Sequence, residues 1–308
     1  MSLLVVGSVA YDTVETPFGK VDEALGGSAI YFSAAASFFV PVRLVAVVGE
    51  DFDRSQLRFL EERQVDLAGL TVEHGSTFRW AGRYDYDLNA RETLYTHLNV
   101  FENFVPKLPQ SYRDSEYLFL ANIMPQLQMQ VLEQVSKPKL VVLDTMNYWI
   151  ENTPAELRRT LKKVNVLIIN DAEARQLAQE PNLYRAARAL LRMGPDTVVI
   201  KKGEHGALMV TPKSCFWAPA YPLESLCDPT GAGDTFAGGF VGYLAYTDDL
   251  SEDNLRRAVV YGSVYASFCV EKFSVDRLRD LTPEEIQERY GAFLELTRVD
   301  AGSVLQCR

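Results

Sequence analysis

One run in the 308-residue chain gathers groups that hold an anion and move a proton. It is Asp228-Pro229-Thr230-Gly231-Ala232-Gly233-Asp234-Thr235-Phe236, followed by Ala237-Gly238-Gly239-Phe240. Gly231, Ala232 and Gly233 are small enough for the backbone to approach a ligand closely, where a loop turns into a helix. The first N–H groups of a helix lack internal partners and sit at the positive end of its dipole. Such a turn therefore favours a negative group such as a phosphate. Asp234 falls in the first helical turn beside that anion site, where a carboxylate can take a proton from an attacking hydroxyl. An aspartate in a first turn also serves as a plain dipole partner, so GAGD by itself leaves both readings open.

Residues so far apart along a chain need a frame to bring them together. Leu3–Gly7, Leu44–Gly49, Tyr117–Ala121, Leu140–Asp144, Val166–Asn170 and Val198–Lys201 are short, nearly continuous apolar runs. They read as buried strands. Between them, Ser28–Phe39, Asp53–Arg63, Pro125–Val135, Pro154–Val164, Asp171–Ala178 and Leu183–Met193 have the pattern of amphipathic helices. The alternation predicts an α/β fold with a doubly wound, mainly parallel sheet and helices on both faces. Gly233–Tyr246, Asp253–Val270 and Pro283–Leu296 read as helices of the last third, and the tail after Thr297 has little pattern. Thr77–Tyr86 and Thr93–Phe101 break the alternation. They read as a β-hairpin with Phe78, Trp80, Gly82, Tyr84 and Tyr86 on one face and Arg79, Arg83 and Asp85 on the other. With Val14–Leu25 this hairpin is expected to form a small sheet off the core, an edge sheet or a lid over a site.

Composition narrows the partners. Hydrophobic residues make up 47% and charged residues 23%, an ordinary globular balance with material for a large core. The net charge is −10, the pI is about 5.0 and no basic run occurs, which disfavours nucleic acid and anionic membranes as partners. The start, MSLLVVGSVAYD, has no basic segment and only a short apolar run. It reads as neither a signal peptide nor a span. Cys215, Cys227, Cys269 and Cys307 form no CxxC pair, so buried, reduced thiols in the cytoplasm are expected.

The full run DPTGAGDTF resembles the signature of the ribokinase-like (PfkB) carbohydrate kinases, and the resemblance extends over nearly the whole chain. It implies a single ribokinase-like α/β domain over residues 1–308, with a β-sheet lid formed by about 13–25 and 76–101. It implies an ATP-dependent kinase acting on a hydroxyl of a small sugar or related polyol, with Mg²⁺ and, in some relatives, K⁺ as further cofactors. Carried over residue by residue, Asp234 is the general base and Gly231, Ala232 and Gly233 form the anion-binding turn. Gly7-Ser8-Val9-Ala10-Tyr11-Asp12 looks like the family's first strand and turn, where the matching aspartate holds substrate hydroxyls. Gly26-Gly27 matches the di-glycine that opens a helix beside the sugar. Four residues after the second glycine the family usually has Asn, whereas Tyr31 stands here. A tyrosine can stack on a ring, hydrogen-bond through its phenol or belong to the core. Gly49-Glu50-Asp51 resembles the glycine–acidic turn without its usual following glycine.

Asn170-Asp171-Ala172-Glu173 is similar to the family's NxxE motif, which acts on Mg²⁺ and phosphates largely through waters. That suits a cation that prefers oxygen ligands and keeps its waters. Without the resemblance, Asn170 is a helix cap and Glu173 its first-turn acid. Lys201-Lys202-Gly203 with Gly206 resembles the strand and glycine turn beside ATP. Asp228 and Thr230 match positions that help build a monovalent-cation loop. Ser263, in Gly262-Ser263, stands where many relatives have an asparagine facing adenine. Lid hairpins of relatives can pair, which implies a homodimer through the lid.

Two other classes compete. A dinucleotide-binding dehydrogenase would need GxGxxG, and GSVAYD lacks it. A non-catalytic sugar or nucleotide sensor on this fold has no need of a complete GAGD. For the acceptor, Arg79 and Arg83 suggest an anionic substrate, while Trp80, Tyr84, Tyr86 and Tyr31 suggest a stacked base or ring. A plain sugar and a nucleoside both remain open.

Overall fold

The computed structural model describes residues 1–296 and 298, so the tail after Thr297, and Cys307 with it, lies outside the described residues. Numbered along the chain, the strands are β1 (Leu3–Val6), β2 (Ala10–Thr16), β3 (Gly19–Gly26), β4 (Val42–Gly49), β5 (Val65–Glu73), β6 (Phe78–Tyr84), β7 (Arg91–His97), β8 (Tyr117–Leu120), β9 (Leu140–Asp144), β10 (Val166–Asn170), β11 (Thr197–Lys201), β12 (Ala207–Val210) and β13 (Cys215–Ala218). Nine of them form one sheet in the order β13-β12-β11-β10-β9-β8-β1-β4-β5. The run from β5 to β11 is parallel throughout, and β12 and β13 close one side antiparallel.

The continuous apolar runs are explained by burial on both faces. On β1, Leu3 and Val5 pack into one core and Leu4 and Val6 into the other, all fully buried. Each such side chain contributes about 1.5–3 kcal/mol on leaving water. Helices Ser28–Ala36, Ala232–Thr247 and Glu252–Cys269 cover the first face, and Pro154–Leu161, Asp171–Ala178 and Leu183–Leu191 the second.

The six expected strands and the main helices are present with ends within two or three residues. The expected helix Asp53–Arg63 splits into a 3₁₀ turn, Arg54–Leu57, and a short helix, Arg58–Glu62. β5, β12 and β13 have no counterpart in the sequence reading. β5 is an edge strand with Asp66 and Ala68 turned to solvent, so its apolar run is interrupted. β12 and β13 are only four residues each. Helices Asn147–Asn152 and Asp276–Asp280 are too short to show a period.

β3, β2, β6 and β7 form a separate four-stranded sheet. β2 and β6 pair parallel, and the outer pairs are antiparallel. Asp51 ties this sheet to the body, accepting from the N–H and Oγ1 of Thr77 (both 2.7 Å) and pairing with Arg79 Nη2 (2.8 Å). Cys215, Cys227 and Cys269 are free, as expected, but only Cys269 is buried. No helix among the described residues is long and apolar enough to cross a membrane.

Candidate active site

The carboxyl ends of the parallel strands meet the head of helix Ala232–Thr247, where open α/β sheets bind ligands. Gly231 caps that helix at φ 76°, in the left-handed region, and a Cβ there would overlap the Tyr31 ring. Glycine alone meets both demands. The N–H of Ala232 turns back to Pro229 O (3.2 Å). Those of Gly233 and Asp234 have no partner among the described residues. The N–H of Gly231 is likewise without a partner among the described residues.

Below this turn three strand ends converge. Lys201, the last residue of β11, places its Nζ 3.2 Å from Oδ2 of Asp144, the last residue of β9. The same Nζ stands 2.7 Å from where a Cβ on Gly233 would be. Lys202 faces elsewhere, its Nζ 3.9 Å from Asp171 Oδ2. Asn170 and Glu173 form a reciprocal cap: Asn170 Oδ1 accepts from the N–H of Glu173 (2.8 Å), and Glu173 Oε2 from that of Asn170 (3.1 Å). Burial, then the neighbouring Asp144 carboxylate, raises Glu173 to about 7. Asp234 also rises to about 7, through burial and then Asp144, against the pull of Lys201. Burial alone would lower Lys201, but Asp144, Asp234 and Glu173 together raise it. Among the described residues no three acidic, histidine or cysteine side chains stand close enough to chelate a bare metal ion. This donor set, an excess of carboxylate around one lysine, fits a hydrated dication shared with phosphates.

Asp12 is 7% exposed. Burial first, then Asp228, raises it to about 7. A Cβ on Gly26 would overlap its carboxylate, so the di-glycine leaves room for Asp12, and Gly27 then starts helix Ser28–Ala36. Tyr31, expected among the substrate contacts, is corrected to the core. It is 2% exposed, packs beneath Gly231, and its phenol oxygen has no partner. Stacking on a substrate is closed to it. Asp228 Oδ1 accepts from the N–H of Thr230 (2.8 Å), and its Oδ2 is buried without a partner. An orphaned carboxylate oxygen of this kind suits a cation.

The small sheet overturns the reading of its arginines. Arg79 is held by Glu23 (2.8 Å) as well as Asp51, and Arg83 by Glu15 (3.1 Å). Neither is free for an anionic substrate. Tyr86 is 86% exposed and forms no part of a ring-binding face. Tyr84 is buried, with its hydroxyl 3.2 Å from Thr230 Oγ1 on the turn before helix Ala232–Thr247. Opposite Tyr84 in register stands Arg91, its guanidinium 5.2 Å from the Trp80 ring centre. Its charge partly offsets the upward push on Asp12, Asp234 and Glu173. Sequence reasoning missed Arg91, which nothing local separates from Arg79 and Arg83. It missed Asp144 too, although an acid closing an apolar strand was a usable signal; Asp12, expected in a turn after the first strand, lies inside β2.

Beyond the turn lies a cavity of about 500 Å³. Lys201, Gly203, Gly206, Ala232, Gly233 and Ser263 line it, with Tyr221, Leu223, Leu226, Phe236 and Val270 as apolar wall. Gly203 and Gly206 shape the turn after β11, with the N–H of Lys202 donating to Gly206 O (2.8 Å). The hydroxyl of Ser263 donates to Val259 O (3.0 Å), so its oxygen keeps only the capacity to accept.

Comparison with known proteins finds relatives over most of the chain. The description "pfkB family carbohydrate kinase" matches residues 2–280. A cytidine kinase of Thermococcus kodakarensis is 30% identical over 246 residues, covering 78% of this chain and 87% of that protein. A ribokinase of Lactococcus lactis is 26% identical over 277 residues, 83% of this chain and 87% of its own. The fold matches a Burkholderia thailandensis nucleoside kinase solved with inosine, at TM-score 0.75 and 19% identity, covering 94% of this chain and 97% of that one. The chain thus belongs to the PfkB family of carbohydrate kinases and is an ATP-dependent sugar or nucleoside kinase.

Proposed function

We propose that this kinase passes the γ-phosphoryl group of ATP to a hydroxyl of a small sugar or related polyol, with Asp234 as general base. The carrying observation is Asp234 itself: a carboxylate raised to about 7, on a helix head with open N–H groups, beside Lys201. A base is most effective when its pKa lies near the working pH. Asp12 and the backbone at Gly26-Gly27 hold the acceptor hydroxyls. Asp234 takes the proton of the attacking hydroxyl as its oxygen bonds to the γ-phosphorus and the bond to ADP breaks. The N–H groups of Gly233 and Asp234, with Lys201, hold the charge of the transferring group; one such donor can contribute roughly 3–4 kcal/mol.

Asp144 and Glu173 are the residues that would hold Mg²⁺ through waters, and the ion would supply charge neutralisation at the phosphates. Asp228 and Thr230 suit K⁺ at the adjoining loop. Within the single domain, residues 13–25 and 76–101 act as a lid that keeps water out and brings Arg91 over the site. β7 is the outer strand of that sheet, exposed along its length, an edge on which a second copy can add.

A nucleoside acceptor is the second reading, favoured by the 30% identity to a cytidine kinase. Coupled ATP turnover over a panel of pentoses, hexoses, inositols, sugar acids and nucleosides separates the two. Turnover confined to nucleosides would overturn the first reading, and turnover of no member would sink both.

A further inference from the structure

The hairpin that carries Tyr84 and Arg91 also reaches the other half of the site. Its turn is closed by the N–H of Asp85 donating to Ala90 O (3.1 Å) and that of Leu88 to Asp85 O (3.0 Å). Asp87 Oδ1 accepts from the N–H of Asn89 (3.0 Å). Leu88 is held at φ 58°, a left-handed conformation uncommon for leucine and kept where surroundings impose it. So arranged, Asp87, Leu88 and Asn89 line the cavity that Lys201, Gly233 and Ser263 also line. Asn89 Nδ2 donates to Glu204 Oε1 (3.4 Å), and Asn89 Oδ1 lies beside Gly203. Besides the tie at Asp51, the hairpin is thus fastened at two further points: Tyr84 to Thr230 on the turn before helix Ala232–Thr247, and Asn89 to the turn after β11.

We propose that Leu88 and Asn89 are positioning residues of the nucleotide site, and that this one hairpin couples nucleotide binding to acceptor binding. The inference rests on reading the cavity as the place of the phosphoryl donor. The long contact between Asn89 and the exposed Glu204 is a weak latch. A ligand that touches both the body and the turn binds only the closed hairpin and shifts the population toward it. Closing brings Tyr84 and Arg91 to the acceptor side with the same movement. Coupling of this kind is reciprocal, so each substrate tightens binding of the other.

The test is calorimetry of the full chain with Mg²⁺ and the unhydrolysable ATP analogue AMP-PNP. Leu88→Gly removes the side chain and relieves the backbone, and Asn89→Ala removes the latch. Each is expected to weaken AMP-PNP about fivefold or more, the equivalent of one hydrogen bond or small apolar contact. Tyr86→Ala, which alters an exposed neighbour, leaves affinity unchanged. In the wild type, AMP-PNP slows amide exchange across residues 85–90, which a purely structural turn would not show. Wild-type affinity in both variants, or unchanged exchange in the turn, overturns this proposal alone. No AMP-PNP binding by the wild type overturns the kinase reading and this proposal with it.

Discussion

The ring of Tyr31 fills the space directly beneath Gly231, so the core and the turn that opens helix Ala232–Thr247 are in contact at one residue pair. The phenol oxygen there is buried without a partner. Tyr31→Phe removes an unsatisfied polar group and keeps the packing, and should stabilise the protein by about 1 kcal/mol. Acceptor KM should stay unchanged. Thermal melts and steady-state kinetics check both, and a large rise in acceptor KM would return Tyr31 to the substrate.

Lys201 stands among three carboxylates, with Asp144 as its direct partner. Lys201→Met strands that buried charge and should cost about 3 kcal/mol or more. It also withdraws the cation that lowers Asp234. The acid limb of the kcat/KM profile should then move to higher pH. A limb unmoved in a folded Lys201→Met protein contradicts the arrangement.

Arg91 acts in the same sense from the small sheet, lowering Asp12, Asp234 and Glu173 across the site. Arg91→Ala should reduce kcat at least about tenfold, the loss expected when one charge-stabilising contact of about 1.4 kcal/mol disappears. Arg91→Lys should recover part of it. Arg83→Ala, which breaks only the exposed pair with Glu15, should leave kcat unchanged. Equal losses in Arg83→Ala and Arg91→Ala would show that the sheet matters only as a whole.

Much of this was readable in the sequence. The strands are legible because parallel strands buried on both faces must be apolar throughout; Lys201 ends one of them, Gly233 and Asp234 open the helix beside it, and Asp12 lies within β2 of the small sheet. Asp66 and Ala68 on β5 face solvent at an edge, which hid that strand. Tyr31 and Arg91 were not legible for a different reason. Whether a tyrosine faces ligand or core depends on how the turn at Gly231 packs on its helix, and which of three arginines in a hairpin faces the site depends on how the small sheet docks. That docking is decided by contacts such as Asp51 with Thr77 and Arg79 and Thr230 with Tyr84, between residues distant in sequence.

Stability should carry the imprint of the crowded carboxylates. Asp12, Glu173 and Asp234 are raised to about 7 in the folded state, from ordinary carboxylate values when unfolded. Between those values the folded form binds more protons, so these groups make stability fall as pH rises toward about 7 and then level off. Glu285, drawn down to about 2 chiefly by its hydrogen bond with Arg277, acts in the opposite sense. Its contribution is already complete above its ordinary value, so it does not reverse the trend. Melting temperatures from pH 5 to 8 without nucleotide should show the decline. Glu173→Gln, which keeps the helix cap, should flatten it. A melting temperature that climbs through this window contradicts the raised values.

Asp234→Asn tests the central claim most directly. The substitution keeps the size of the side chain and removes its capacity to accept the proton. With an active acceptor from the panel, kcat should fall about 10²–10⁴-fold, and the acid limb near pH 7 should vanish from what activity remains. AMP-PNP binding and the melting temperature should hold, because neutralising a carboxylate crowded by Asp144 and Glu173 relieves repulsion. Turnover within a few-fold of wild type would contradict the assignment of Asp234 as the base.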